Sequence, residues 1–540
     1  MLSRRAAVLL ALAVAAVLVA YVLWPSLRTF GLGLSALGDF FGATSNRWAL
    51  VNSVGVSLAT VVGAGVVGTA LAYALWRYDL PGRKLWQAAA TLPLALPPLV
   101  GVLAFLFLYG ETGILPRLLR DLLGLAEVPF ALSGRWAVGL VHVYAFYVYF
   151  YLFVTAALRD LDASLLEAAA DLGSAGARTL RRVVLPLLRP ALVGAALLVF
   201  MVSMASFTAP LLFAGAEPFL TTQIYNYKVN GDLALSAAVS TVLTAICLLF
   251  LFALEARPDR LRLVGKGAAR RAPRRRGAAR WVAGFVVAVG LLFVLLPVAT
   301  VVLISFAETG TWTVQVFPES YTAGNYRQLF ADPRFFAPLR NSLVMALIAT
   351  GGNLVFGVAA ALVIVKSGVP GRGLVRVLAV LPFAIPGTVI ALNLIVAFNE
   401  PSALAGGAVL VGSFAVLPLA YFVRHVPLVV QATEAALEGY DDRLTEASAD
   451  LGAGAWTTFR RVAWPAIRPG VLAGTLLAFV AALGEFVASI MLYVFGNRPI
   501  SVEILAQLRL YEFGAAAAYS VLLMGLIALS TLVLRSVGAR

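Results

Sequence analysis

Cysteine, histidine and charge are all scarce in this chain. A single cysteine, Cys247, stands among 540 residues, which excludes an intramolecular disulfide and a cysteine-based metal cluster. Set in an apolar run, it reads as a small core or lipid-facing side chain. The two histidines, His142 and His425, are too few for a histidine metal centre, and each reads as a polar residue near a helix end. Charged residues make up only 12% of the sequence, against about 25% in an average soluble domain. The phosphate-cradling pattern Gly-x-x-x-x-Gly-Lys-Ser/Thr is missing too, and Gly265, Lys266 and Gly267 do not supply it. No ATP site is therefore expected here.

Apolar residues fill the space that charge leaves. They make up 61% of the chain, and runs such as 54–75, 86–108 and 343–365 exclude charge for about the 20 residues a helix needs to cross a bilayer. The fold class is an all-α integral membrane protein, because spanning strands would show ten-residue alternation instead. Twelve spans are expected, at 6–24, 54–76, 87–109, 136–157, 191–213, 236–254, 281–306, 342–365, 377–398, 405–423, 471–495 and 516–534. With both termini cytoplasmic, 30 of the 41 Lys and Arg residues fall on the inner side, as the positive-inside tendency requires. The net charge of +15 then reports basic loops against anionic lipid, not nucleic-acid binding. The first 24 residues resemble a signal peptide, but their apolar run is too long for that, and an uncleaved span is expected.

The two halves of the chain repeat one another. Asn52-Ser53, LPGR at 80–83 and LPLALPP at 92–98 align with Asn341-Ser342, VPGR at 369–372 and LPFAIPG at 381–387, all 289 residues on. Further along, EAAADLGSAGARTLRRVVLPLLRP at 167–190 aligns with EASADLGAGAWTTFRRVAWPAIRP at 446–469, with 13 of 24 positions identical. The expected organisation is a first unit at 1–256 with a polar loop at 158–190, a basic linker at 257–280, and a second unit at 281–540 with a loop at 424–469. Six spans per unit make this a parallel duplication, related by an axis along the membrane normal with a pathway between the halves.

Each polar loop has the makings of a docking element. Glu167 and Asp171, like Glu446 and Asp450, lie four apart and so on one helix face, beside small residues that let another surface approach. Gly173 and Gly452 should end that helix. A second short helix carrying Arg181-Arg182 or Arg460-Arg461 should follow, and Pro186 and Pro465 should mark the turn back toward the membrane. A plain interfacial linker is the alternative, but it has no reason to preserve Glu, Gly and Pro together in two copies.

The loops resemble the EAA motif of bacterial ATP-binding-cassette importer permeases. Glu167, Ala168, Ala169, Gly173, Val183, Leu185 and Pro186 fill it, as do Glu446, Ala447, Gly452, Val462 and Pro465 in the second copy, where Ser448 and Trp464 depart from it. The resemblance implies two six-helix type-I importer domains with twelve transmembrane helices in the inner membrane. It implies that each loop docks on one of two copies of a cytoplasmic ATPase subunit, which holds the ATP and Mg, while the chain itself binds no cofactor and catalyses no reaction. It also implies an extracytoplasmic solute-binding protein as partner. Fused permeases of this size resemble the group handling ferric iron, thiamine, aminoethylphosphonate and polyamines, and the runs at 206–240 and 484–524 look most like the ferric-iron type.

Glu485 is the one acid inside an expected span, and Ser206 is its repeat equivalent; both are pathway candidates. Tyr144, Tyr147, Tyr149 and Tyr151 read as an interfacial belt and packing stripe. Two other classes remain open: an ion-gradient-driven transporter, which would need several buried charges at the midplane, and a membrane scaffold, which would not need matched loops.

Overall fold

Helices account for all the regular structure in the computed structural model, which describes residues 4–174, 176–255 and 277–538, and an isolated β-bridge joins Ala307 and Tyr321. The expected linker lies almost wholly outside the described residues. Eleven helices are long and apolar enough to cross a membrane, or twelve when one bent pair is taken as a single span.

The first half runs α1 (Arg5–Ser35), α2 (Thr44–Arg77), α3 (Arg83–Ala90), α4 (Pro98–Tyr109), α5 (Ile114–Leu123), α6 (Gly134–Arg159), α7 (Ala163–Asp171), α8 (Leu180–Met204), α9 (Thr208–Phe213), α10 (Leu220–Val229) and α11 (Leu233–Glu255). The second runs α12 (Ala278–Ile304), α13 (Pro333–Lys366), α14 (Arg372–Ala384), α15 (Gly387–Phe398), α16 (Val416–Glu438), α17 (Arg443–Asp450), α18 (Ala455–Leu483), α19 (Val487–Leu492), α20 (Ile500–Arg509) and α21 (Phe513–Gly538). Each element has its counterpart except α5, which occupies the longer connection of the first half.

Proline sets the breaks. The chain bends by 112° between α14 and α15 at Pro386, because proline has no N–H for the helical ladder and forces its predecessor, Ile385, into an extended conformation. Pro97 does the same before α4, so the expected span at 87–109 is α3, a short turn and α4. The spans expected at 191–213 and 471–495 are also broken, at 205–207 and 484–486.

The halves interlock. The C-terminal part of α1 packs on α11 of its own half, while α1 also reaches across to α13, α14 and α15, with Tyr21 Oη donating to the Leu404 carbonyl at 2.9 Å and Asn393 Nδ2 donating to Ser26 Oγ at 3.1 Å. α12 crosses the other way onto α3 and α4, where Phe293 meets Phe105 edge-on at 5.6 Å. Within each half, glycine lets the second span touch the fourth: a Cβ at Gly68 would strike Tyr147 and Phe150, and one at Gly357 would strike Val429.

Three expectations need correction. The tenth span is not 405–423 but α16, displaced because Gly406, Gly407 and Gly412 take left-handed conformations that no helix contains. Arg424 therefore leaves the loop at 424–469 and stands inside a helix. His142 and His425 are buried in mid-helix positions of α6 and α16, not near helix ends. Pro186 and Pro465 do not mark a turn: each lies in the first turn after a π-helical segment, Leu180–Val184 or Phe459–Ala463, and the arginine-bearing stretch runs unbroken into the span. The wider turn accommodates the missing proline N–H.

Candidate functional site

The two polar loops fold as their sequences require. In the first, Asp162 caps α7 by accepting from the Ser164 N–H at 3.0 Å, and the helix ends at Gly173 with φ of +75°. The Ser174 N–H bonds the Ala169 carbonyl and the Gly173 N–H bonds the Ala170 carbonyl, both at 2.8 Å. The second loop repeats this at Gly452, φ +77°, with Ala453 donating to Ser448 and Gly452 to Ala449. Only a residue without a Cβ takes this conformation freely, and that is why glycine recurs.

On the surface of these helices, Glu167, Ala168 and Asp171 are exposed and Ala169 is buried; Glu446, Ala447 and Asp450 are all exposed. Leu172 and Leu451, one residue before each glycine, are 89% and 88% exposed. A sequence reading that followed the acids missed these leucines, although their recurrence at the same repeat position was available. The second loop is tied to its half by Lys366 to Asp442 at 2.7 Å and by the Tyr440 hydroxyl to Thr445 at 2.8 Å. Nearby, Arg376 of α14 holds Glu434 and Glu438 of α16 at 2.9 and 3.3 Å.

The other candidates meet between the halves. Phe207 and Phe486 are repeat equivalents, both fully buried, and their ring centroids lie 6.1 Å apart with the planes inclined by 33°, so equivalent positions of the two halves meet here. Gly484 abuts Pro97 of the first half, where a Cβ would sit 3.4 Å from the proline ring. Ser206 and Glu485 directly precede the paired phenylalanines, each at the break of its span.

Their surroundings differ. Ser206 meets His142 Nε2 at 2.8 Å, Ser203 meets the same ring's Nδ1 at 3.0 Å, and Thr221 donates to the Ser206 carbonyl at 2.8 Å. Glu485 accepts from the Ala488 N–H through Oε1 at 2.9 Å, capping α19, and its Oε2 pairs with Arg424 Nε at 2.8 Å and lies 3.7 Å from His425 Nε2. Ser501 donates to the Glu485 carbonyl at 2.8 Å, as Thr221 does for Ser206. Room for Arg424 comes from Gly387, where a Cβ would fall onto its Nη1 atom. The first half has Pro98 and Ala145 at these two repeat positions.

The Asn-Ser pairs flagged by the repeat hold the segments beyond. Asn52 Nδ2 donates to the Pro218 carbonyl at 3.0 Å and Ser53 Oγ accepts from the Leu220 N–H at 3.0 Å, fixing the start of α10. Asn341 and Ser342 do the same for Arg498 and Ile500, at 3.1 and 2.8 Å, at the start of α20. Of the α6 tyrosines, Tyr144, Tyr147 and Tyr151 are buried, with Tyr147 donating to the Ala90 carbonyl at 2.9 Å, in agreement with the expected packing stripe. Cys247 is fully buried in the core. Among the described residues, no group of three or more His, Cys, Asp or Glu could hold a metal.

Comparison with known proteins accords with this architecture. A probable ABC transporter permease protein of Sinorhizobium fredii is 30% identical over 90% of this chain and 87% of its own length. A ferric transport system permease protein of Actinobacillus pleuropneumoniae is 26% identical over 89% of this chain and 69% of its own. An Fe(3+)-transport system permease protein of Haemophilus influenzae is 26% identical over 93% of this chain and 92% of its own. The family model described as a binding-protein-dependent transport system inner membrane component matches twice, at residues 64–262 and 353–540, and the chain belongs to that family as two fused permease domains.

Proposed function

We propose that this chain is the two-domain membrane permease of an ABC importer. It moves a small solute from an extracytoplasmic binding protein into the cytoplasm by alternating access, with hydrolysis in two copies of a separate ATPase. The observation that carries this reading is the pair of loops around α7 and α17, which share sequence, fold and an exposed leucine at Leu172 and Leu451. An exposed leucine on a short helix fixed by a glycine turn suits a cleft in a partner, and two such helices suit two partner subunits. In this reading Glu167, Ala168, Ala169, Asp171, Gly173 and Pro186 serve one coupling loop, and Glu446, Ala447, Asp450, Gly452 and Pro465 the other.

The permease units are 1–256 and 281–540, joined by the basic connector, with both termini on the cytoplasmic side of the inner membrane. Ferric iron is the solute this reading favours, on the names of the two ferric-system relatives. The chain itself supplies no ATP site, so ATP and Mg belong to the partner. The test is purification with the ATPase and measurement of solute uptake and ATP hydrolysis. Gly173→Trp/Gly452→Trp or Leu172→Glu/Leu451→Glu should uncouple the two activities or dissociate the ATPase; wild-type behaviour in both would sink the coupling role.

A further inference from the structure

The importer reading leaves open what charge the solute carries, and the constriction between the halves bears on it. Glu485 is the residue a cation would need, but both its oxygens are taken: Oε1 caps α19 through the Ala488 N–H, and Oε2 pairs with Arg424. Its side chain is 5% exposed, whereas that of Arg424 is 27% exposed. The accessible charge at this level is therefore positive.

Two further features point the same way. Arg424 lies against Gly387, the first residue of the 12-residue helix α15, so the guanidinium and the positive end of a helix dipole converge on one place. A lone arginine there is disfavoured by the helix end, and the pairing with Glu485 offsets that cost; an anion is favoured by both groups. The next residue, Thr388, is fully buried and its hydroxyl has no hydrogen-bond partner among the described residues. The first half has the equivalent helix start at Pro98 of α4 but neither charge, since Ala145 and Ser206 stand at the repeat positions of Arg424 and Glu485.

We infer that Arg424 is the residue that meets the transported solute beside the Phe207–Phe486 closure, and that the solute passes this level as an anion bearing oxygen acceptors. Such an anion is an oxyanion or a metal ion enclosed in an anionic complex. Glu485 is a positioning residue: it holds the Nε edge of Arg424 while Nη1 lies against Gly387 at the start of α15, so that an anion is met by the remaining guanidinium N–H groups beside that helix end. Ferric iron fits as an anionic chelate and not as the bare cation. This inference rests on the importer reading.

The test uses the full complex of this chain with its ATPase and binding protein in proteoliposomes. It has two readouts: ATP hydrolysis stimulated by the binding protein, and uptake of radiolabelled sulfate, molybdate, ferric citrate, thiamine and spermidine. An anionic probe should be carried in preference to the cationic ones. Arg424→Ala alone strands a buried carboxylate and risks misfolding, so the informative variant is Arg424→Ala/Glu485→Ser, which installs the first half's own residues. It should reach the membrane at wild-type abundance, lower uptake of the carried anion by at least about tenfold, the scale of one charge-assisted contact, and narrow the preference over cations. Arg424→Lys should keep part of the uptake with a raised apparent KM. Preference for thiamine or spermidine, wild-type anion uptake by the double variant, or no anion uptake while stimulated ATP hydrolysis persists would each overturn the inference. Absence of stimulated ATP hydrolysis in the wild type would remove the importer reading, and this inference with it.

Discussion

A methyl group at Gly387 would land on Nη1 of Arg424, so the missing side chain of one residue decides whether the charge of another fits. Gly387→Ala is expected to push the guanidinium off Glu485 and strand a carboxylate that is almost fully buried. Breaking a buried ion pair from one side costs about 3–5 kcal/mol. The melting temperature of the detergent-purified protein should fall accordingly. In an Arg424→Ala/Glu485→Ser background the same alanine should cost far less, because the clash and the charge are both gone; an additive cost in the two backgrounds would contradict this account. The sequence made half of this arrangement legible. Glu485 stood out as an acid in an apolar stretch, but its partner was hidden, because counting Arg424 among the loop cations fitted the charge asymmetry just as well. Only the displaced start of α16, set by three left-handed glycines, brings the two charges together.

Short segments at the span ends depend on side chains far away in sequence. Asn341 and Ser342 sit on α13 yet hold the start of α20, as Asn52 and Ser53 on α2 hold the start of α10. A helix N-terminus leaves backbone donors without intrahelical partners, and Ser342 satisfies one of them at Ile500. Ser342→Ala should cost about 1 kcal/mol, with faster amide exchange confined to the first turn of α20; exchange spread evenly over the molecule would argue against a local cap. Duplication marked these pairs as meaningful while giving no hint of what they touch, since the Asn52 bond spans 166 residues. The loop helices were more legible, because their turn chemistry is local. Gly173 and Gly452 end them where glycine at that position should, and with open space around each Cβ the cost of substitution is backbone strain alone. Gly452→Asn is accordingly expected to retain more ATPase coupling than Gly452→Val, since asparagine tolerates the left-handed region and a β-branched residue does not. Equal loss in both would point to side-chain contact with the partner instead.

At the scale of the molecule, the apolar spans and their duplication follow from apolar run lengths and one repeated loop, and the eleven or twelve apolar helices and the double family match agree with them. The contact of α1 with the other half was not legible, because α1 is apolar over most of its length and its few polar residues do not say which half they face. That contact changes what the connector between the halves does. Tyr21 and Ser26 of α1 bond to Leu404 and Asn393 of the second half, and Phe293 of α12 packs into the first, so helices of each half hold the other directly. Two polypeptides covering 1–256 and 277–540, made together, should therefore assemble into a complex that purifies through a tag on either one. Removing residues 1–35 from the intact chain should be the more damaging change, and the damage should reach the second half as well as α11 of the first. It uncovers α11 together with α13, α14 and α15 and leaves the Asn393 amide without Ser26, at a cost of about 1–3 kcal/mol for that group alone. Limited proteolysis can separate these outcomes. New cleavage sites in the second half upon loss of α1, together with a resistant split complex, are expected; a split complex that falls apart would show that the connector, and not the crossing helices, holds the two halves together.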